Sequence, residues 1–220
     1  MTSSPVQRAE PSPDCPLCPR LAAFRGANRV RFPGWHHAPV PSFGPADARV
    51  LIVGLAPGLR GANRTGRPFT GDFAGDVLYG ALAAHGLASG TYGADPADGF
   101  TLVDTRVTNA ARCVPPENKP TPAEVATCRR FLQDELLASP RPRVVLTLGR
   151  IAHESVVRAF GRKLKELPFG HGLVQPVDEV TSLVSSYHTS RYNVQTGLLT
   201  PAMVDEVVRT VARLRAAAAG

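Results

Sequence analysis

A polar segment, GLAPGLRGANRTGRPFTGD, occupies residues 54–72, directly after the apolar run ARVLIVG. Its glycines permit close approach of the backbone to a ligand, and its arginines match the geometry of phosphate groups. Phe69 offers a flat ring and Asp72 a carboxylate. A planar polar ligand attached to a phosphate backbone would use all of these groups. The alternative interpretation of this composition is a Gly/Pro-rich surface turn.

Two familiar nucleotide-binding loops do not fit this segment. A P-loop ends in Gly-Lys-Ser/Thr, and GLRGANRTG contains no lysine. The dinucleotide fingerprint requires G-x-G-x-x-G, whereas Gly54, Gly58 and Gly61 are spaced differently. The segment therefore indicates a different kind of site.

Four cysteines form a second group with chemical potential. Cys15 and Cys18 lie in the motif CPLC, and Cys113 and Cys128 lie much later in the chain. Structural zinc usually takes two short-spaced pairs, of which only one is present. A 4Fe-4S cluster also takes four cysteines and accepts irregular spacing, and four unrelated buried thiols are the third alternative. The spacing alone leaves all three open.

Strands and helices alternate along the chain and would position these groups. Continuous apolar runs predict strands at 48–54, 100–109, 143–149 and 180–188. Helical patterns lie at 75–85, 121–137, 150–160 and 201–216, the second of which opens with the capping box TPAE. This alternation predicts an α/β fold whose parallel sheet has helices on both faces. Ligands bind at the carboxyl ends of such strands, where residues 54–72 would meet TNAARCVPPENKP and YHTSRYNVQTG.

The bulk properties indicate a single domain with a polyanionic partner. A chain of 220 residues forms one core, and a formal charge of +7 with a pI near 9.7 favours a polyanion. A generic basic surface is the alternative. No apolar run approaches the ~20 residues of a membrane span, and the N-terminus lacks a signal-peptide core. We therefore expect a cytoplasmic protein with a disordered leader at 1–13, one domain at 14–216 and a disordered tail at 217–220.

Five motifs, in order, resemble those of a known family: CPLC, GLAPG, GRPFTGD, CVPPENKPT and YHTSRYNVQTG. They resemble the bacterial and archaeal family 5 uracil-DNA glycosylases over residues 15–214. The resemblance implies a three-layer αβα sandwich around a central four-stranded parallel sheet. It also implies a 4Fe-4S cluster held by Cys15, Cys18, Cys113 and Cys128, and a monomer that acts on DNA containing uracil or other deaminated bases.

The resemblance implies roles at matching positions, in an enzyme that flips the base out of the duplex. The residues that would bind the base are Gly54, Leu55, Ala56, Phe69 and Asn109. Catalysis would rest on Asp72, Asn118 and His188. DNA would be bound by Arg64, Lys119, Ser190, Arg191 and Asn193. Without the resemblance, the simplest interpretation of Asp72 is a helix N-cap.

Two positions, Leu55 and Asn109, bear on where this chain lies among the families that it resembles. Family 4 enzymes carry glutamate where this chain has Leu55, which favours family 5. Family 5 members commonly carry alanine where this chain has Asn109. The amide of Asn109 would bind the Watson-Crick edge of uracil and could narrow the range of bases excised.

No lysine stands out as a Schiff-base nucleophile, so we expect no lyase activity. The two rival interpretations are a non-catalytic nucleic-acid-binding member of the superfamily and a zinc-stabilised nucleotide-binding protein.

Overall fold

The computed structural model describes residues 10–138 and 142–217. Most of the predicted leader and nearly all of the predicted tail lie outside these ranges. The strands are β1 (Val50–Gly54), β2 (Ala88–Ser89), β3 (Thr101–Leu102), β4 (Thr105–Asn109), β5 (Val144–Leu148), β6 (Val174–Pro176) and β7 (Ser182–Ser186). The α-helices are α1 (Pro19–Arg31), α2 (Ala62–Thr65), α3 (Phe73–Ala84), α4 (Pro122–Leu137), α5 (Arg150–Ala159), α6 (Arg191–Gln195) and α7 (Pro201–Ala217). A short 3-10 helix spans Pro116–Asn118.

The main sheet has the strand order β4-β1-β5-β7-β6. Its first four strands are mutually parallel, as predicted, and β6 adds an antiparallel edge. The sheet therefore has five strands where four were expected. β2 and β3 form a separate antiparallel pair.

Alternate residues of the central strands pack into two hydrophobic cores, one on each face of the sheet. Val50 and Ile52 of β1 join the core formed with α3 and α7. Their neighbours Leu51 and Val53 join the core formed with α4 and α5. Burial on both faces explains why β1 is a continuous apolar run without alternation. The predicted α/β sandwich, with helices on both sides of the sheet, is confirmed.

The predicted helices are confirmed to within a few residues, and one predicted strand is divided. The run 100–109 is interrupted between β3 and β4 at Asp104, whose φ of +50° is incompatible with a continuous strand. Its carboxylate accepts hydrogen bonds from the backbone N–H and the guanidinium of Arg49. The predicted capping box of α4 is present, with Thr121 and Glu124 bonded reciprocally.

Helix α1 was not predicted, and it is joined to α4 by an ion pair. Arg20 of α1 pairs with Glu124 of α4 at 2.8 Å. Within the described ranges, no helix is both long enough and apolar enough to cross a lipid bilayer.

Candidate active site

Three loops meet at the carboxyl edge of the sheet and enclose a cleft of about 590 Å³. β1 ends at Gly54, which lies in register beside Asn109 at the end of β4, and β7 ends shortly before His188. The cleft is lined by Leu55, Ala56, Pro57, Gly58, Ala62, Phe69, Gly71, Asp72, Phe73, Ala74, Asn109, Asn118, His188, Ser190 and Arg191. All three residues predicted to be catalytic therefore face one space.

Gly54 forms the closely packed floor beneath Phe69 and Asn109. A Cβ atom at this position would lie 2.5 Å from Phe69 Cζ and 2.5 Å from Asn109 Oδ1. Gly54 therefore belongs to the site although it does not line the cleft itself. The amide of Asn109 is buried, and among the described residues no hydrogen-bond partner is found for it, so its polar atoms remain available to a ligand.

Asp72 is the N-cap of α3 and also a wall of the cleft. Its Oδ1 accepts a hydrogen bond from Gly75 N–H at 3.0 Å. Its Oδ2 faces the turn at Gly58 and Gly61, where the absence of side chains gives it room. Burial raises the pKa of Asp72 above its usual range, an effect opposed by the Gly75 N–H and reinforced by the charge of Asp76. The carboxylate is therefore more basic than an exposed aspartate.

His188 lies across the cleft, with its ring centroid 6.3 Å from that of Phe69. Burial lowers the pKa of His188, so its imidazole is neutral near pH 7. In the described part of the chain, no side chain is bonded to its ring nitrogens, and its position is fixed through the backbone. Asn193 Nδ2 donates to His188 O at 2.8 Å, and Thr189 Oγ1 donates to Ala74 O at 3.2 Å.

Of the five residues predicted to bind DNA, two line the cleft. Ser190 and Arg191 line it, and Arg191 lies over the Phe73 ring at 5.5 Å. Ser190 is also the N-cap of α6, where its Oγ accepts from Asn193 N–H. Lys119 is exposed beside Glu117, and Arg64 lies outside the cleft with its Nε bonded to Arg60 O. The structure thus brings two of the five into the cleft, and it gives Asn193 an internal contact.

One arginine of the glycine-rich segment has a different environment from the one expected. Arg67 was expected to supply charge for a phosphate, but its side chain is buried and forms two hydrogen bonds with Asp98, at 2.8 and 2.7 Å. That expectation is wrong, because the guanidinium of Arg67 is buried in an ion pair with Asp98. Sequence reasoning missed Asp98 and Tyr92, which contact this segment, because no spacing or motif marks their loop.

The four cysteines line a single cavity between the N-terminal segment, α4 and the loop after β4. Arg25 Nη1 lies 3.6 Å from Cys113 Sγ, and the backbone N–H of Arg112 donates to Cys128 Sγ at 3.3 Å. Within residues 10–138 and 142–217, no group of three or more His, Cys, Asp or Glu side chains forms a site for a metal ion. The four thiols thus line a shared space, and N–H groups are directed at the sulfur atoms of Cys113 and Cys128.

The structure is an αβα sandwich with a mostly parallel sheet. A carboxylate, an imidazole and an amide surround one cleft at the carboxyl edge of that sheet. The sequence profile of the uracil DNA glycosylase superfamily matches residues 41–212, and the chain belongs to that superfamily.

Within this superfamily, the chain is similar over most of its length to Type-5 uracil-DNA glycosylases. Over 205 residues the chain is 46% identical to the Type-5 uracil-DNA glycosylase of Thermus thermophilus, covering 91% of this chain and 93% of that protein. Over 203 residues it is 40% identical to the Type-5 enzyme of Pyrobaculum aerophilum, covering 90% and 88%. A Type-4 uracil-DNA glycosylase of Archaeoglobus fulgidus is 33% identical over 153 residues, covering 68% and 69%. The resemblance to family 5 is thereby confirmed.

Proposed function

We propose that this chain is a uracil-DNA glycosylase, which flips uracil out of DNA and hydrolyses its N-glycosidic bond to leave an abasic site. The names of its relatives support this activity. The observation that carries the proposal is that Asp72, Asn109 and His188, each at or after the end of a different strand, line one cleft with Phe69.

The reaction separates charge, and the two ends of the breaking bond need opposite compensation. The sugar becomes oxocarbenium-like, as in glycoside hydrolysis generally, while the base departs as an anion. The carboxylate of Asp72 stabilises the positive sugar and orients the attacking water, and Asn118 at the rim assists in holding that water. The raised pKa of Asp72 favours this role, because it makes the carboxylate a better proton acceptor.

His188 stabilises the departing base from the other side of the cleft. As a neutral imidazole it donates a hydrogen bond to the oxygen on which negative charge develops. Preorganised donors of this kind contribute roughly 3 to 4 kcal/mol to transition-state stabilisation.

Base recognition uses a flat ring and a polar edge. Phe69 stacks on the flipped uracil, an interaction worth about 1–3 kcal/mol, and the amide of Asn109 reads its Watson-Crick edge. The backbone of Leu55 and Ala56 lines the pocket above Gly54. The amide of Asn109 favours uracil over other deaminated bases. Measuring release from a panel of oligonucleotides, each with a single deaminated base such as hypoxanthine, tests which bases the enzyme excises.

The basic surface binds the DNA backbone around the flipped nucleotide. Arg64, Lys119 and Arg191 contact phosphates, with Ser190 and Asn193 at the start of α6 beside them. Such contacts give an affinity that falls as salt rises. We propose a monofunctional enzyme, so borohydride should trap no covalent adduct with uracil DNA; a trapped adduct would contradict this assignment.

We further propose that Cys15, Cys18, Cys113 and Cys128 hold a 4Fe-4S cluster. All four cysteines line one cavity, which is the number of thiolates that a 4Fe-4S cluster takes, and N–H groups directed at thiolate sulfur are typical of cluster surroundings. When bound, the cluster cross-links the N-terminal segment to the loop that carries Asn118. Anaerobically purified protein should be brown, with iron and sulfide each near four per chain, whereas colourless zinc-loaded protein would overturn the assignment.

Replacing Asp72 by asparagine tests the catalytic proposal. D72N keeps an oxygen to cap α3 but removes the charge, so uracil release should collapse while affinity for abasic-site DNA survives. The matched control is D76N, which removes the neighbouring exposed carboxylate. A D72N protein with wild-type uracil release would refute the mechanism, and a wild-type protein that binds uracil DNA without releasing the base would favour the non-catalytic alternative.

A further inference from the structure

The ring of Phe69 is held in place by a strained backbone. Phe69 has a φ of +50°, a left-handed conformation that is unfavourable for a bulky residue and persists only where its surroundings impose it. Two residues later Gly71 also has a positive φ, of +85°. The strained turn directly precedes Asp72, so its geometry sets the position of both the stacking ring and the carboxylate.

One hydroxyl group from another loop bridges this turn. Tyr92 Oη donates to Phe69 O at 3.1 Å and accepts from Gly71 N–H at 3.3 Å. Burial raises the pKa of Tyr92, which keeps its phenol protonated and able to donate. Gly75 makes this arrangement possible, because a Cβ there would collide with Phe69 O and lie 2.9 Å from Tyr92 Oη.

The loop that carries Tyr92 is itself anchored by the buried ion pair of Arg67 and Asp98. Both side chains are less than a tenth exposed. Asp98 also accepts the backbone N–H groups of Gly93 and Phe100, each at 2.9 Å. Arg67 Nε donates to Thr70 Oγ1 at 2.8 Å, within the strained turn. The ion pair therefore joins the turn to the loop through both of its members.

Aromatic rings surround this pair and exclude water from it. The Arg67 guanidinium carbon lies 5.2 to 6.0 Å from the ring centres of Phe43, Tyr79, Tyr92 and Phe100. Tyr79 Oη also donates to Pro68 O at 2.6 Å. Hydrogen bonds in such a dry environment are stronger than in water, so the turn is fixed from one side by a rigid polar network.

We infer that Tyr92 is a positioning residue for base excision, which acts through Phe69 without touching the substrate. Its hydroxyl imposes the left-handed backbone that presents the Phe69 ring to the flipped base. This inference rests on the proposed glycosylase function. The Arg67–Asp98 pair supports Tyr92 by fixing the loop on which it lies.

The variant Y92F tests the inference, because it keeps the ring packed and removes only the bridging hydroxyl. Loss of one or two neutral hydrogen bonds should lower kcat on a uracil oligonucleotide by roughly 3- to 10-fold. KM for DNA should stay near wild type, because the phosphate-binding side chains are untouched. Inhibition by free uracil should weaken, since it reports directly on stacking in the base pocket. The matched control is T181V, which removes a buried hydroxyl bonded to Pro142 O in another part of the fold.

A double-mutant cycle separates positioning from general stability. If Tyr92 acts through Phe69, the loss in Y92F should largely disappear in the background F69L, which has no ring to present. Additive losses would overturn the inference, as would a Y92F protein with a lowered free energy of unfolding but unchanged kcat and uracil inhibition. Absence of uracil release by the wild-type protein would instead overturn the proposed function, and this inference with it.

Discussion

The substitution Gly54→Ala would test the base pocket with a single methyl group. Gly54 has an ordinary strand conformation, so alanine is compatible with the backbone. The added Cβ would lie 2.5 Å from Phe69 Cζ and from Asn109 Oδ1. Favourable contact between carbon atoms requires about 3.5–4.0 Å, so the Phe69 ring must move by about 1 Å. The atoms nearest to the added methyl group therefore belong to Phe69 and Asn109, two side chains proposed to bind the base.

The expected loss follows from the interaction that is disturbed. Losing the stacking contact, worth about 1–3 kcal/mol, lowers kcat/KM on uracil DNA by roughly 5- to 150-fold. Overpacking costs about 1–3 kcal/mol of folding stability, which urea unfolding measures separately. The control G80A places a methyl on the exposed face of α3, with no atom within 4 Å, and should leave the rate unchanged while adding about 0.5–1 kcal/mol of stability. G54A with a wild-type rate would refute this description of the pocket.

The remaining predictions concern charge and recognition. The acidic limb of the pH-rate profile should lie above the usual range of a carboxyl group, because burial raises the pKa of Asp72. In D76N the limb should move to lower pH, because the charge of Asp76 also raises that pKa. A limb that does not move would show that a group other than Asp72 titrates there. Because the pKa of Asp72 is higher in the folded than in the unfolded chain, the charged carboxylate opposes folding, and the free energy of unfolding falls as pH rises through that pKa. At pH 7, D72N should therefore unfold at no lower urea concentration than the wild-type protein. N109A should release uracil roughly tenfold more slowly with little change for hypoxanthine, and an untouched uracil rate would show that the amide does not read the base. D98N, which leaves Arg67 buried without its partner, should lose about 3–5 kcal/mol of stability in urea unfolding; a loss below about 1 kcal/mol would show that the pair is relieved by solvent.

The strongest sequence patterns predicted the elements that position the site. The buried run before Gly54 and the capping box at Thr121 each determined a strand or helix, because their local signals agree with their tertiary environment. Helix α1 was missed because its burial depends on contacts with distant residues such as Glu124. The break at Asp104 was missed because its hydrogen bonds to Arg49 arise only once the chain has folded.

The sequence by itself determined which groups are available for chemistry: the loops at the strand ends carry the carboxylate, the imidazole and the amide, and the motifs that contain them identify the family. Only the tertiary structure decided which charges face the cleft. Arg64 and Arg67 are indistinguishable in the sequence, yet the second is buried against Asp98, which lies 31 positions away. Tyr92 had no sequence signal, because a hydroxyl that bridges a strained turn is defined by distances in space. Burial, the main cause of the opposite pKa shifts of Asp72 and His188, is likewise a property of the folded chain.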